Sequence, residues 1–96
     1  MPDGKNEIKV KFQEQMIGGT YANALHIAHT GEEFILDFLL VSPPTGTVNS
    51  RIITSPGHMK RIISAMQENV KRYEEKYGKI KQAAEPEAQG QIGFLS

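Results

Sequence analysis

The fold of this chain is decided by residues Ser55 to Gly78, which read SPGHMKRIISAMQENVKRYEEKYG. Ser55 is of the type that accepts a hydrogen bond from a free backbone N–H at a helix start, and Pro56 suits the first helical position. Apolar side chains then follow steps of three and four residues, at Met59, Ile62, Ile63, Met66, Val70, Tyr73 and Tyr77. Gly78 favours the left-handed conformation that ends many helices. The stretch therefore predicts a long amphipathic helix with one buried face.

Length and composition predict one small domain. The chain has 96 residues, 39% of them hydrophobic, which is enough for one core and too few for two. A helix of about 22 residues is about 33 Å long, so part of its apolar stripe is expected to need a second chain.

Charge and cysteine usage exclude some classes of protein. Eleven Lys and Arg balance eleven Asp and Glu, unlike the strong basic excess of a nonspecific nucleic-acid binder. The lack of cysteine excludes disulfides and thiolate chemistry. Nothing in the sequence resembles a signal peptide or a membrane-spanning run, so we expect a cytoplasmic protein without membrane contact.

The residues before the helix predict four strands. Glu7–Gln13 alternates, with Ile8, Val10 and Phe12 on one face, as in a half-buried strand. After the Gly18-Gly19 break, residues 20–29 form the second predicted strand.

The third predicted strand, Glu33–Val41, follows a turn at Thr30-Gly31-Glu32 and is apolar on both faces. In an antiparallel sheet one face usually meets water, so this pattern indicates a central strand whose second face is covered. Ser42–Asn49, with two prolines and a glycine, is predicted to be a loop, and Ser50–Thr54 a short fourth strand.

The domain is expected to cover residues 1–81, and residues 82–96 to form a flexible tail. Apolar residues return at its end, at Ile92, Phe94 and Leu95. Either these belong to a disordered terminus, or they form a tethered peptide that docks on a protein partner or on this domain.

Asp37 is the polar residue that stands out, because it interrupts an apolar strand. A buried carboxylate needs a partner or a shifted pKa, and Arg51 on the fourth strand is the candidate for a structural ion pair. The alternative, a general acid or base, lacks a visible nucleophile, second carboxylate or oxyanion element. We therefore predict no catalytic residue, no cofactor and no enzyme activity.

His26 and His29 are candidate metal ligands by residue type alone. On a strand, residues three apart point to opposite faces, so this pair cannot chelate one ion. No metal site is predicted.

Lys9, Lys11 and Arg51 are the candidate nucleic-acid-binding residues, on one basic surface of the sheet. Sheets bind single strands by combining cations with exposed aromatic rings. The alternative is that the lysines only solvate an edge strand and discourage aggregation.

Several blocks of sequence carry a resemblance to a known family: Tyr21-Ala22-Asn23, Glu33-Phe34-Ile35-Leu36-Asp37-Phe38, Ser50 to Pro56, Glu68-Asn69-Val70, and Tyr73-Glu74-Glu75 with Gly78. The chain resembles a small bacterial and archaeal family of unknown function, domain-of-unknown-function family 3467, over about Thr20 to Ile80. This resemblance gives the chain a family and implies no mechanism.

A looser similarity is to PUR-alpha-like domains, and it rests on Ser50-Arg51-Ile52 and Tyr77-Gly78. It implies antiparallel strands closed by a long helix, intertwined dimers, and single-stranded nucleic acid bound on the sheet.

We accordingly expect an α+β fold, a four-stranded mainly antiparallel sheet packed by one long C-terminal helix, assembled as a homodimer. The expected interface consists of Met59, Ile62, Met66, Val70, Tyr73 and Tyr77. The expected function is a non-enzymatic interaction or assembly module of unknown partner. The alternative is a PUR-alpha-like single-stranded nucleic-acid-binding protein associated with transcription.

Overall fold

The computed structural model describes residues 7–84. A short 3-10 helix, Glu14–Met16, is followed by strands β1 (Ala24–His29), β2 (Phe34–Ser42) and β3 (Thr45–Thr54) and by helix α1 (Pro56–Tyr77). The strands form an antiparallel sheet in the order β1-β2-β3. The architecture is α+β, with β2 at the centre of the sheet.

The predicted helix boundaries are confirmed. Ser55 is the N-cap, and its Oγ accepts a hydrogen bond from the His58 N–H at 3.1 Å. At the other end the Gly78 N–H donates to the Glu74 carbonyl at 2.9 Å. Gly78 has φ 98° and ψ 171°, so its φ is positive as expected, but its ψ is extended and not left-handed helical.

The predicted turn between β1 and β2 is also present. The Thr30 N–H donates to the Glu33 carbonyl at 2.9 Å, and Thr30 Oγ1 accepts from the Glu32 and Glu33 N–H groups, each at 3.2 Å. A threonine hydroxyl that binds backbone ahead of it in this way stabilises a tight reversal.

The prediction of a strand at Glu7–Gln13 is wrong, and the sheet of the described residues has three strands instead of four. Residues 7–13, called the N-terminal arm below, have no strand structure, and Ile8, Val10 and Phe12 are 88%, 83% and 71% exposed. Alternation creates an apolar face, but a strand also needs a neighbour for its backbone N–H and C=O groups. Within residues 7–84 the arm has no such neighbour. The next strand begins at Ala24, four residues later than expected.

The prediction of a loop at Ser42–Asn49 is wrong as well. β2 and β3 are joined by a hairpin with Pro43 and Pro44 at its tip, where the bond between the prolines is cis, and Ser42 pairs directly with Thr45. Proline and glycine read as loop signals, yet both are tolerated at the start of an edge strand. The fourth predicted strand is therefore the second half of a ten-residue β3.

The core is small. Leu36, Leu39 and Met59, at 3%, 4% and 8% exposure, are the buried apolar residues of the described chain. The radius of gyration, 17.0 Å, exceeds the value of about 12 Å expected for a compact domain of this length. The sheet and the first turn of α1 thus form the packed part, and much of the apolar surface lies outside it.

Within residues 7–84, no helix is long and apolar enough to cross a membrane.

Candidate functional site

A polar row crosses the centre of the sheet. The strand register sets His26 opposite Asp37, and Asp37 opposite Arg51. Asp37 is 2% exposed, and both of its oxygens are occupied: Arg51 Nε donates to Oδ1 at 2.7 Å and Nη2 donates to Oδ2 at 2.9 Å. The candidate acid of the sequence is thus held in a bidentate ion pair, the strong form of this contact.

This pair controls the charge of Asp37. Its hydrogen bonds with Arg51 are the main reason that the pKa of Asp37 lies below the ordinary 3.8, and the positive charges of Arg51 and His26 act in the same direction. Burial of Asp37 acts in the opposite direction, and its effect on the pKa is smaller than that of the hydrogen bonds with Arg51. The same contact raises the pKa of Arg51. Asp37 is therefore ionised at neutral pH, with its proton-accepting oxygens already engaged.

The two histidines lie on opposite faces of β1. His26 is in the row of Asp37, whereas His29 pairs with Phe34 and packs against its ring at a centroid distance of 5.4 Å. Among the described residues no group of three or more His, Cys, Asp or Glu is placed to hold a metal ion.

Asn23 organises the end of β1. Its Oδ1 accepts from the Val41 N–H at 2.8 Å and its Nδ2 donates to the Val41 carbonyl at 3.0 Å, so the side chain replaces a strand residue at the sheet edge.

Asn49 was not singled out by the sequence. It is the extra residue of a bulge in β3, because Phe38 pairs with Ser50 and Leu39 with Val48. Asn49 Nδ2 donates to the Tyr21 carbonyl at 2.8 Å. This bond ties the segment just before β1 to β3.

The three predicted nucleic-acid-binding residues do not lie on one sheet. Lys9 and Lys11 are exposed in the arm, outside the sheet, whereas Arg51 is in β3 and paired with Asp37. The predicted basic surface required Lys9 and Lys11 to lie in a sheet strand at Glu7–Gln13. Because these residues form no strand, the prediction of one basic sheet surface is wrong.

The exposed apolar side of α1 is the largest candidate site. Five side chains, which we call the helix seam, are 42% to 65% exposed and follow steps of three and four residues: Ile63, Met66, Val70, Tyr73 and Tyr77. This is the a/d spacing of a coiled coil. Of the predicted interface residues, Met59 is buried within the protomer and Ile62 is half-buried, so they belong to the junction of helix and sheet.

The predicted tail peptide, Ile92, Phe94 and Leu95, lies outside the described residues. Ala83 and Ala84, the last described residues, line a shallow depression with residues 22–25 and Phe38. The chain after α1 thus passes beside the start of β1.

The comparisons with known proteins give a family and no activity. No curated protein and no solved structure matches the chain. Residues 1–82, which include the arm, the sheet and α1, match the family described as protein of unknown function, DUF3467. The first resemblance seen in the sequence is confirmed, and the one to PUR-alpha-like domains stays a prediction. The chain belongs to DUF3467, a family of unknown function.

Proposed function

We propose that this protein is a non-enzymatic homodimeric interaction module, in which a second copy covers the helix seam. The carrying observation is that five large apolar side chains with a/d spacing are about half exposed along a helix of 22 residues. Single exposed apolar residues are normal, but a contiguous apolar stripe marks an interaction site.

An antiparallel pair of helices fits the side chains of the seam. With a positions facing d positions, Ile63 meets the partner's Tyr73 and Met66 meets the partner's Val70. Each layer combines a large side chain with a smaller or flexible one, which allows close packing. The helix dipoles also favour the antiparallel arrangement.

The charges beside the seam support this direction. Lys60 and Glu74 occupy e positions, one near each end of the helix, and antiparallel pairing brings Lys60 close to the partner's Glu74. The two-fold axis generates this contact twice. In a parallel pair the two residues lie at different levels and do not meet.

The test is a charge exchange. We expect Lys60→Glu to weaken the dimer about tenfold, because it places like charges together at two sites. Combining it with Glu74→Lys should restore most of the affinity, with some loss because Glu74 Oε2 also accepts the Ile80 N–H at 2.9 Å. Dissociation constants from analytical ultracentrifugation measure both effects.

Glu75→Lys is the matched control, since Glu75 lies on the opposite face of α1. It should leave the dissociation constant within about twofold. A dimer whose dissociation constant is the same in wild type, in Lys60→Glu and in the double variant would contradict antiparallel pairing. A chain that stays monomeric would contradict the proposed function itself.

The non-enzymatic part of the proposal is supported by the state of Asp37. Its carboxylate is ionised and bound through both oxygens, which leaves it unsuited to proton transfer.

Single-stranded nucleic-acid binding is the second candidate, and one observation favours it. The Arg51 side chain is 59% exposed and uses Nε and Nη2 for Asp37, which leaves Nη1 outside the pair. Anisotropy of labelled single-stranded DNA and RNA at two salt concentrations tests it, because phosphate contacts impose a salt dependence. Binding at low salt that is lost in Arg51→Gln would support this candidate, and absence of binding would remove it.

A protein partner recruited by the tail through Ile92, Phe94 and Leu95 also stays a prediction. Truncation after Ala84 addresses it: unchanged stability and assembly would remove any role for the tail in this dimer.

A further inference from the structure

The N-terminal arm has the pattern of a strand and the exposure of a free chain. Ile8, Val10 and Phe12 are 71% to 88% exposed. In an extended conformation they lie on one side of the segment, and Lys9 and Lys11 lie on the other. An apolar face of this kind is costly in water, and the alternation suits the edge of a sheet.

The sheet offers two edges, and β1 is the receptive one. Within the described residues, β1 and β3 each have one side without a neighbouring strand. β3 carries a bulge at Asn49 and the charged Arg51, both devices that discourage further pairing. β1 reads Ala-Leu-His-Ile-Ala-His, without lysine, arginine, proline or a bulge.

The faces of β1 also match those of the arm. Leu25 and Ile27, 44% and 45% exposed, point to one face of the sheet. If Ile8, Val10 and Phe12 lie on that face, they extend its apolar surface. The arm lysines then lie on the face of Ala24, His26 and Ala28.

The edge of β3 gives a poorer match. Setting the arm's apolar side next to Ile52 would place Lys9 and Lys11 on the face of Arg51, next to a like charge.

In one copy the arm is not paired with its own β1, because residues 7–13 have no strand structure and β1 pairs with β2 alone. A second copy can present the outer edge of its β1 to this arm.

We infer that the arm of one copy adds to the outer edge of β1 in a second copy as its fourth strand. The four-stranded sheet indicated by the sequence then forms in the dimer. This inference rests on the proposed dimer and adds a second contact surface to it, with backbone hydrogen bonds as the binding chemistry.

The test uses full-length protein mixed from two labelled pools, one with ¹⁵N and one with ¹³C. Filtered NOE spectra record only contacts between different chains. We expect cross-peaks from the arm amides of residues 8–12 to the Leu25 and Ile27 methyls of the other copy. The same arm amides should be protected from hydrogen exchange while dimer is present and lose that protection on dilution.

Val10→Asp and Lys11→Gln form a matched pair of variants. Val10→Asp buries a charge on the arm's apolar side, and should remove the cross-peaks and weaken the dimer about tenfold. Lys11→Gln changes the opposite side and should alter the dissociation constant less than twofold. Neither residue contributes to the packed part of the protomer, so both variants should fold.

The outcomes separate this inference from the proposed function. A dimer by mass whose arm amides exchange freely would overturn strand addition and leave the helix seam as the interface. Arm protection that persists on dilution to monomer would show pairing within one chain and would also overturn it. A chain that is monomeric at every concentration would overturn both proposals.

Discussion

Strand β2 and the N-terminal arm carry the same kind of signal and have opposite fates. Both have apolar side chains at strand spacing, β2 on both faces and the arm on one, yet Leu36 and Leu39 in β2 are buried, whereas Ile8 and Val10 in the arm are almost fully exposed. The difference is in the neighbours: β2 has a strand on each side and the arm has none among the described residues. Periodicity thus indicates which side chains favour burial, and the surrounding chain decides whether one copy can provide it.

Helix α1 shows the same contrast within one element. Met59 in the first turn is buried at the junction with the sheet, whereas Val70, three turns later on the same stripe, is about half exposed. The first turn belongs to the protomer core, and the later turns are available to a partner.

The largest effect should come from shortening one apolar side chain in β2 and one in the N-terminal arm. Leu36→Ala removes a buried side chain and should lower the free energy of unfolding by about 2–5 kcal/mol, from the lost transfer energy and the cavity. Ile8→Ala, measured by urea unfolding below the dimer dissociation constant, should change it by less than about 0.5 kcal/mol. Equal losses would mean that the arm is part of the protomer core.

A charge in the helix seam should separate assembly from folding. Val70→Asp should raise the dimer dissociation constant about 100-fold, because association would desolvate an unpaired carboxylate. The protomer should keep its helix content by circular dichroism, since Val70 is outside the packed part. Ser64→Asp adds the same charge on an outward position of α1 and serves as control. Loss of fold in Val70→Asp would place the later turns of α1 in the protomer core.

The helix start gives a smaller effect. Ser55→Ala removes the acceptor of the His58 N–H and should cost about 1 kcal/mol, visible as a lower melting temperature. Ser64→Ala, inside the helix, should be neutral or slightly stabilising because alanine is the better helix former. A Ser55→Ala melting temperature equal to that of wild type would show that the cap contributes nothing to stability.

The smallest effect should appear in acid. The pKa of Asp37 is lower in the folded than in the unfolded chain, so its stabilising contribution is complete above the ordinary value of 3.8 and is lost as the pH falls through the folded pKa. Asp37→Asn should therefore flatten the dependence of unfolding free energy on pH below about pH 5. Glu68→Gln is the control, because its ion pair with Arg72 is exposed at both ends. Parallel curves for Asp37→Asn and wild type would contradict the role given to this pair.

The sequence predicted the parts of the fold that local chemistry determines. Ser55, Pro56 and Gly78 marked both helix ends, Thr30 marked the first turn, and the two-sided apolar pattern identified β2 as central. Each of these signals acts through the residue itself or its immediate neighbours.

The errors came from contacts that no local signal encodes. The loop was predicted from Pro43, Pro44 and Gly46, because a two-proline hairpin followed by an edge strand has the composition of a loop. The bulge at Asn49 and its bond to Tyr21 depend on strand register, which the sequence did not give. The arm is predicted to be a strand because its apolar residues alternate. Alternation does not indicate which chain provides the neighbouring strand.

The most direct test of the account is the mass of the full-length protein in solution, measured by light scattering across a dilution series. A second copy covering the helix seam predicts about 21 kDa at micromolar concentration, twice the chain mass of 10.7 kDa, and a fall toward 10.7 kDa on dilution. A mass of 10.7 kDa throughout the micromolar range would contradict it.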